Sequence, residues 1–259
     1  MKKILGIMTV SLILLYACKA SPQTSCPDKT TAQASLSKLI NRDFTVERVQ
    51  PLKEIKGLCE VVVKVGLRPI VVYTDPQVKN IVVGNVFNID TKENLTQKTV
   101  ESYMVVSRDI LQKLEGLTNI TYGKGDKFVY YISDPDCPFC MRLSPMLKEW
   151  ADKNNVQIKV ILYPLPIHPE AKKKSISMVC DGKGYDDIHK KVSTKNQCEK
   201  GKKAIEENIR FLQSIGVSGT PTLIGMNGRY LVGVPQSLSE LNRLVQTTSS
   251  PLPENKPEG

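Results

Sequence analysis

The chain has 259 residues, of which 41% are hydrophobic and 24% are charged, the composition of an ordinary globular protein with room for two domains. Its net charge is +10, but the lysines are scattered, and no basic stripe alternates with aromatic residues. We therefore expect a folded protein that does not bind nucleic acid.

The N-terminus has the features of an export signal. Lys2 and Lys3 precede the apolar run ILGIMTVSLILLYA, which is short for a transmembrane helix. A signal of this kind takes the chain out of the cytosol and is then removed. We predict a signal peptide over 1–17.

The residues around the predicted cleavage site suggest a lipid anchor. The segment LYAC, which ends at Cys18, resembles a bacterial lipobox, whose cysteine becomes the lipidated first residue of the mature protein. Tyr16 is unusual in that motif, and cleavage after Ala20 is the alternative, which would release a soluble protein. We predict lipidation of Cys18. The resemblance also implies sorting to the outer membrane, because Lys19 and not Asp follows the cysteine.

Residues 18–95 are predicted to form a small, mostly antiparallel β domain. A short helix over 30–41 precedes four apolar runs rich in β-branched residues, and turn signals such as Gly66 and Asp75-Pro76 separate the runs. The four runs are FTVERVQPL, CEVVVKVG, RPIVVYT and NIVVGNVFNID.

A linker helix is predicted over 96–118. Its apolar residues recur at helical spacing between 96 and 115, and Gly116 is a plausible end. The apolar positions are Val100, Tyr103, Met104, Ile110, Leu111 and Leu114.

A second domain is predicted over 119–247, followed by a disordered tail over 248–259 that is rich in proline and charge. Strands and helices alternate in it, and a C-x-x-C pair directly follows its first strand. The predicted elements are the strand KFVYYIS, a helix over 138–154, a strand over 156–163, a mainly helical segment over 164–216, the strands TPTLIGM and RYLVGV joined at Asn227-Gly228, and a helix over 237–246.

The pair Cys137 and Cys140 has three interpretations: a metal site, a structural disulfide or a redox-active dithiol. Structural zinc needs a second pair of ligands at knuckle spacing, and Cys180 and Cys198 are too widely spaced for this. A structural disulfide within C-x-x-C would remove little entropy from the unfolded chain. No metal is therefore expected, also because the histidines are near neither pair in sequence; they are His168 and His189.

Redox chemistry fits the local pattern better. Because the pair follows a strand and opens a helix, Cys137 should lie at the helix N-terminus, where the dipole and free N–H groups lower the pKa of a thiol. Pro138 suits the first helical turn. We expect Cys137 to be the exposed nucleophile and Cys140 the resolving thiol. Phe139 is expected to tune the dithiol or to contact apolar clients.

Either cleavage removes Cys18 from the thiol count and leaves six thiols, and an even number in an exported protein argues for disulfides. Their spacing does not by itself choose among the pairings. The six are Cys26, Cys59, Cys137, Cys140, Cys180 and Cys198.

Several segments resemble the thioredoxin fold. The strand that ends in DPDCPFC, with Pro145 in the following helix, resembles the active-site region of that fold, and GVSGTPTLI resembles its cis-proline loop. The resemblance implies a cis bond between Thr220 and Pro221, with the backbone of Thr220 pairing with a client chain. An ordinary trans proline is the alternative.

The resemblance narrows to the bacterial periplasmic disulfide isomerases DsbC and DsbG. GVSGTP followed by a strand and NGR is similar to their cis-proline segment, over a match that is strong at 120–246 and only architectural at 27–118. It implies an α+β protein in which a thioredoxin-like domain with a helical insertion follows a small cystatin-like antiparallel β dimerisation domain. Cys180 and Cys198 match the structural disulfide of that family.

The remaining Cys26 and Cys59 are then left to pair with each other. Such a disulfide would tie the mature N-terminus to a strand of the β domain. A regulatory bond or a link across a dimer are the alternatives to this structural role.

The family resemblance implies an exported thiol:disulfide oxidoreductase that isomerises or reduces non-native disulfides in periplasmic proteins and needs no cofactor. Its expected partners are unfolded or misoxidised exported proteins, a DsbD-like membrane thiol reductase and a second copy of the chain. The Pro-Phe dipeptide is nearer to the Pro-Tyr of DsbG than to the Gly-Tyr of DsbC, which leaves isomerase and reductase both open. The alternatives are a DsbA-like oxidase and a chaperone with incidental thiols.

Overall fold

The structure is a computed structural model that describes residues 25–191 and 193–246. The predicted signal peptide over 1–17, the predicted lipidation site at Cys18 and the predicted tail over 248–259 lie outside these residues. Within the two described ranges, no helix is both long enough and apolar enough to cross a membrane.

The N-terminal domain is built on a four-stranded sheet in which every neighbouring pair is antiparallel. Both of its faces are covered, which explains the unbroken apolar run of its central strand. Val61 and Val63 pack on the side of the first helix, whereas Val62 packs on the side of Val100 from the next helix. Its elements are α1 (Lys29–Leu36), β1 (Thr45–Pro51), β2 (Cys59–Val65), β3 (Arg68–Thr74) and β4 (Ile81–Val82).

The strand predicted for NIVVGNVFNID was wrong over most of its length, because only Ile81 and Val82 pair with β3. Beyond them the backbone forms local bonds: the Val86 N–H donates to Thr96 Oγ1 at 2.8 Å, and the Leu95 N–H donates to the Val86 carbonyl at 2.9 Å. These bonds fold the segment back onto the start of the following helix.

The single linker helix over 96–118 was also wrong, because the structure has two helices with a break between them. Met104 has ψ of 60°, and its carbonyl accepts the Tyr230 N–H at 3.2 Å. The Val106 N–H donates to the Gly228 carbonyl at 2.9 Å. The backbone that would have continued the helix therefore bonds to the second domain. The two helices are α2 (Leu95–Tyr103) and α3 (Arg108–Gly116).

The second domain has a five-stranded sheet in the order β5-β7-β6-β8-β9, in which only β6 and β7 are parallel. Alternate residues of β6 face two cores: Tyr131 packs with α4, α5 and α7, whereas Tyr130 packs with α3 and α6. The elements are β5 (Ile120–Tyr122), β6 (Lys127–Ser133), α4 (Pro138–Asn154), β7 (Val156–Leu162), α5 (Ala171–Cys180), a 3₁₀ turn (Tyr185–Asp187), α6 (Glu199–Ser214), β8 (Thr222–Gly225), β9 (Tyr230–Val232) and α7 (Leu238–Leu244).

The turn between β2 and β3 packs against the second domain. Leu67 is buried in the core around Tyr130, and its N–H donates to the Gly216 carbonyl at 3.4 Å. Gly66 and Gly216 have φ of 58° and 81°, and a Cβ on Gly216 would lie 2.2 Å from the Cα of Gly66. Only glycines allow this approach. The hairpin tip of the N-terminal domain thus packs against the loop that leads to Thr220.

The described residues contain two disulfides. Cys26 is bonded to Cys59, the first residue of β2, with a Cα–Cα distance of 5.7 Å. Cys180 at the end of α5 is bonded to Cys198, which caps the N-terminus of α6, with a Cα–Cα distance of 5.9 Å. The first bond ties the N-terminal segment to its sheet, and the second joins the two helices of the insertion.

Candidate active site

Cys137 is the N-cap residue of α4 and follows the end of β6 after a short turn. Asp134 shapes this turn: its Oδ1 accepts the Asp136 N–H at 2.7 Å, and its carbonyl accepts the Cys137 N–H at 3.2 Å. Pro138 starts the helix, and the Met141 N–H donates to the Cys137 carbonyl at 3.0 Å. The predicted position of Cys137 at a helix N-terminus is what the structure has.

Cys137 and Cys140 are free thiols, and both are buried, with 3% and 0% exposure. The expectation of an exposed Cys137 was wrong, because the loop before β8 covers its sulfur. The Cys137 Sγ–H donates to the Thr220 carbonyl at 3.4 Å. The bond between Thr220 and Pro221 is cis, which removes the alternative of an ordinary trans proline.

The Cys140 thiol lies one helical turn behind Cys137. Burial raises the pKa of Cys140 to about 11, against the opposing effect of hydrogen-bond donors around its sulfur. These donors are the backbone N–H of Asp134 and the side chains of Thr220 and Ser133. Cys140 is therefore protonated at neutral pH.

Both histidines of the chain contact the turn before Cys137, although neither is near it in sequence. His168 Nδ1 lies 2.8 Å from Oδ2 of Asp134, a carboxylate with 0% exposure. His189 Nδ1 donates to the Pro135 carbonyl at 3.1 Å. Burial lowers the pKa of His189. Sequence reasoning missed this arrangement, and the only signal for it was that the chain has just two histidines, both in the segment between β7 and α6.

A buried polar network holds the second turn of α4. Tyr131 Oη donates to the Cys140 carbonyl at 3.1 Å and lies 3.0 Å from Ser144 Oγ. His189 Nε2 lies 3.0 Å from the same Ser144 oxygen, and Tyr185 Oη donates to the Ser144 carbonyl at 2.9 Å. Burial raises the pKa of both tyrosines, so both are neutral. The network fixes the helix just before Pro145.

The surface beside the dithiol is apolar and partly cationic. Phe139 is 54% exposed, Met141 is also exposed, and the Arg142 guanidinium lies 5.4 Å from the centre of the Phe139 ring. Ile167 is exposed on the loop that carries His168. Lys174 pairs with Asp136, directly before Cys137. The arrangement offers contacts to apolar segments of another chain.

A cavity of about 420 Å³ lies between the hairpin tip of the N-terminal domain and the loop of Thr220. Leu67, Val100 and Met104 line one part of it, and Ser218 and Thr222 line another. The structure therefore brings the dithiol and the Thr220 carbonyl together, while the cavity borders the cis-proline loop at Ser218 and Thr222 and is lined by neither cysteine.

The remaining predicted residues lie in other elements. The disulfide of Cys26 and Cys59 belongs to the N-terminal sheet, and that of Cys180 and Cys198 to the helices of the insertion. In the part of the chain that the structure describes, no group of three or more His, Cys, Asp or Glu side chains is arranged to hold a metal ion.

Two family models match the chain. The model for thioredoxin-like domains matches residues 118–247, and the model for the N-terminal domain of disulfide bond isomerase proteins matches 23–97. Together they cover both domains of the structure.

Similar proteins carry related names. The thiol:disulfide interchange protein DsbG of Pseudomonas aeruginosa is 24% identical over 67% of this chain and 72% of its own. The probable thiol:disulfide interchange protein DsbC of Bordetella avium is 28% identical over 68% of this chain and 63% of its own. A crystal structure of a disulfide interchange protein from Neisseria gonorrhoeae matches 52% of this chain and 99% of its own chain, with 26% sequence identity and a TM-score of 0.43.

The second domain carries a dithiol at a helix N-terminus opposite a cis-proline, and the first domain matches the isomerase N-terminal model. The chain belongs to the DsbC/DsbG-like family of thiol:disulfide interchange proteins, with an α+β architecture that ends in a thioredoxin-like domain, and it is a disulfide oxidoreductase.

Proposed function

We propose that the protein isomerises, and secondarily reduces, non-native disulfides of client proteins in the periplasm, with Cys137 as nucleophile and Cys140 as resolving thiol. One observation carries the proposal: the Cys137 sulfur lies at the N-terminus of α4 and faces the Thr220 carbonyl of the cis-proline loop at 3.4 Å. A helix N-terminus favours negative charge on such a sulfur.

The first step is attack of the Cys137 thiolate on a client disulfide. A bond forms between Cys137 and one client sulfur, and the other client sulfur leaves with the electron pair of the broken S–S bond and takes up a proton. The backbone of Thr220, released from the Cys137 thiol, then pairs with the extended client chain beside Pro221. Phe139 and Met141 contact apolar residues of the client.

The fate of this mixed disulfide distinguishes isomerisation from reduction. In isomerisation, another client thiolate attacks the client sulfur and Cys137 leaves. In reduction, Cys140 attacks Cys137 and the client leaves. Because the pKa of Cys140 is about 11, little of it is thiolate at neutral pH, and the second route is slow. This favours isomerisation.

The same proposal assigns the other parts of the chain. Residues 18–95 form the dimerisation domain, residues 96–118 the linker and residues 119–247 the catalytic domain. A dimer places two dithiols around one client, and a DsbD-like membrane thiol reductase keeps Cys137 and Cys140 reduced. Lipidation of Cys18 holds the protein at the outer membrane.

The test is the rescue of a scrambled protein with several disulfides by the reduced full chain, together with the redox potential of the dithiol. We expect rescue by the wild type and none by the Cys137→Ser variant. Cys140→Ser is expected to keep partial isomerase activity and to lose reductase activity. Efficient oxidation of reduced clients without rescue would overturn the proposal in favour of an oxidase.

A further inference from the structure

The Cys140 thiol must become negatively charged at a position with 0% exposure whenever it resolves a mixed disulfide. Burial opposes this and is the main reason why the pKa of Cys140 is raised to about 11. Hydrogen-bond donors that point to the sulfur are the means by which a buried site lowers the cost of such a charge.

Hydrogen bonding from the Asp134 N–H and from the Thr220 and Ser133 side chains lowers the pKa of Cys140. Within the described residues, however, neither of the two hydroxyls makes a hydrogen bond while Cys140 is a thiol. Asp134 belongs to the turn before the dithiol, and Thr220 to the cis-proline loop. Ser133 is the last residue of β6. It lies on the same strand face as Tyr131, whose hydroxyl donates to the Cys140 carbonyl at 3.1 Å.

The Ser133 hydroxyl is buried and has no partner. Its residue has 0% exposure, and its Oγ makes no hydrogen bond to any group in residues 25–191 and 193–246, the Cys140 thiol included. Buried hydroxyls without a partner are rare, since each loses its bonds to water. A second buried serine with an unpartnered hydroxyl, Ser175, lies on α5.

In the part of the chain that the structure describes, no Lys, Arg or His side chain is among the groups that shift the pKa of Cys140. Tyr131 from β6 and Tyr185 from the 3₁₀ turn face Cys140, and burial raises the pKa of both, so they are neutral. His189 reaches the same network through Ser144, and burial lowers its pKa, which favours its neutral form. The remaining titratable neighbours are Cys137 on the same helix and the carboxylate of Asp134, which is turned to His168.

We propose that the Ser133 hydroxyl, which has no partner while Cys140 is a thiol, donates a hydrogen bond to the Cys140 thiolate during resolution of the mixed disulfide. In this step the Cys140 sulfur forms a bond to Cys137, and the bond between Cys137 and the client breaks. The client sulfur leaves with that electron pair and takes up the proton that Cys140 lost. The inference rests on the proposed function, because it concerns the same dithiol.

A single-turnover experiment separates this step from the attack by Cys137. The reduced full chain is mixed with a peptide disulfide, and formation and decay of the mixed disulfide are followed at neutral pH. Loss of one hydrogen bond to a charged sulfur is expected to slow the decay about tenfold in Ser133→Ala and to leave the attack rate unchanged. Ser175→Ala is the matched control and should change neither rate.

A spectroscopic measurement does not depend on turnover. In a Cys137→Ala background, the ultraviolet absorbance of the thiolate reports the ionisation of Cys140. At a pH where about a tenth of Cys140 is ionised in this background, the thiolate fraction should fall severalfold in Ser133→Ala and stay constant in Ser175→Ala. Should Ser133→Ala fail to fold, the isosteric pair Ser133→Thr and Ser133→Val replaces it, and only the valine variant should lose resolution.

An unchanged decay rate together with an unchanged thiolate fraction in Ser133→Ala, or equal changes in Ser175→Ala, would overturn the inference. Neither result contradicts the proposed function. That function fails separately, if the wild type forms no mixed disulfide with the peptide.

Discussion

Cys137 and Cys198 occupy the same local position, the N-cap of a helix, yet one is a free thiol and the other is part of a disulfide. The Cys198 sulfur accepts the Gly201 N–H at 3.4 Å and is bonded to Cys180 of the preceding helix. Cys137 has no such cap bond and faces Thr220 instead. A helix N-terminus alone therefore does not make a redox site.

The surroundings of the partner cysteine account for the difference. Cys140 is on the same helix as Cys137 and is fully buried next to the cis-proline loop. Cys180 comes from a separate helix, and side chains also fasten the loop before Cys198 to that helix. Ser177 Oγ donates to the Asn196 carbonyl at 2.7 Å, and Gln197 Nε2 donates to Ser177 Oγ at 2.9 Å. Cys137 and Cys140 can exchange disulfides with a client, whereas the disulfide of Cys180 and Cys198 holds two helices together.

The largest expected effect comes from removing the second pair. The double variant Cys180→Ala, Cys198→Ala should lower the free energy of unfolding by about 3 kcal/mol, since the crosslink limits the entropy of the unfolded chain. Urea denaturation measures this loss. The rate at which the folded variant's Cys137 reacts with a peptide disulfide should stay within about twofold of the wild type, because no part of that pair borders the dithiol.

If the folded double variant lost disulfide-exchange activity, the conclusion that the disulfide of Cys180 and Cys198 is only structural would be wrong. Cys137→Ser is the opposite control, and we expect it to lose all exchange while its unfolding midpoint changes little.

A smaller effect is expected from Gly201→Ala. A Cβ at this position would lie 2.6 Å from the Cys180 sulfur and 2.7 Å from the Ile176 carbonyl, so α5 and α6 would have to separate. We expect a loss of about 1–3 kcal/mol in the free energy of unfolding, measured in urea.

Gly116 at the end of α3 is the matched control, because a Cβ there has no atom within 4 Å. Gly116→Ala should be neutral or stabilise the protein by up to about 1 kcal/mol, as alanine does in a helix. A neutral Gly201→Ala would show that the contact of α5 and α6 is looser than the structure has it.

The local chemistry of the dithiol was predictable because it is encoded in adjacent residues. The C-x-x-C pair after a strand placed Cys137 at a helix N-terminus, and the apolar run KFVYYIS placed its strand. Three of the four apolar runs likewise form full strands of the antiparallel N-terminal sheet, whereas the fourth contributes only Ile81 and Val82.

What the sequence did not reveal depends on contacts between distant segments. Cys137 is buried because it bonds to Thr220, which is 83 residues away. The break after Tyr103 arises from bonds to Gly228 and Tyr230, which override a good helical pattern. The contacts of His168 and His189 with the active-site turn depend on loop conformations that have no periodic signal.

The smallest effect that we predict is a pH dependence of local stability at the helix start of Cys137, with no counterpart at the helix start of Cys198. His189 Nδ1 must donate to the Pro135 carbonyl, so Nε2 of the neutral ring accepts from the Ser144 hydroxyl. Burial lowers the pKa of His189 from 6.5. The unfolded chain therefore binds the proton more readily, and the stability that His189 contributes is complete above pH 6.5 and declines as the pH falls through the lower pKa of the folded state.

Two equivalent amides allow this to be measured by hydrogen exchange. The Met141 N–H donates to the Cys137 carbonyl at 3.0 Å, and the Lys202 N–H donates to the Cys198 carbonyl at 3.1 Å. Below pH 6.5, the protection of Met141 should fall relative to that of Lys202 in the wild type and not in His189→Gln. Equal changes at both amides, or the same fall in His189→Gln, would mean that acid loosens the domain as a whole. A loss of protection at Met141 alone would show that His189 stabilises the turn that carries Cys137.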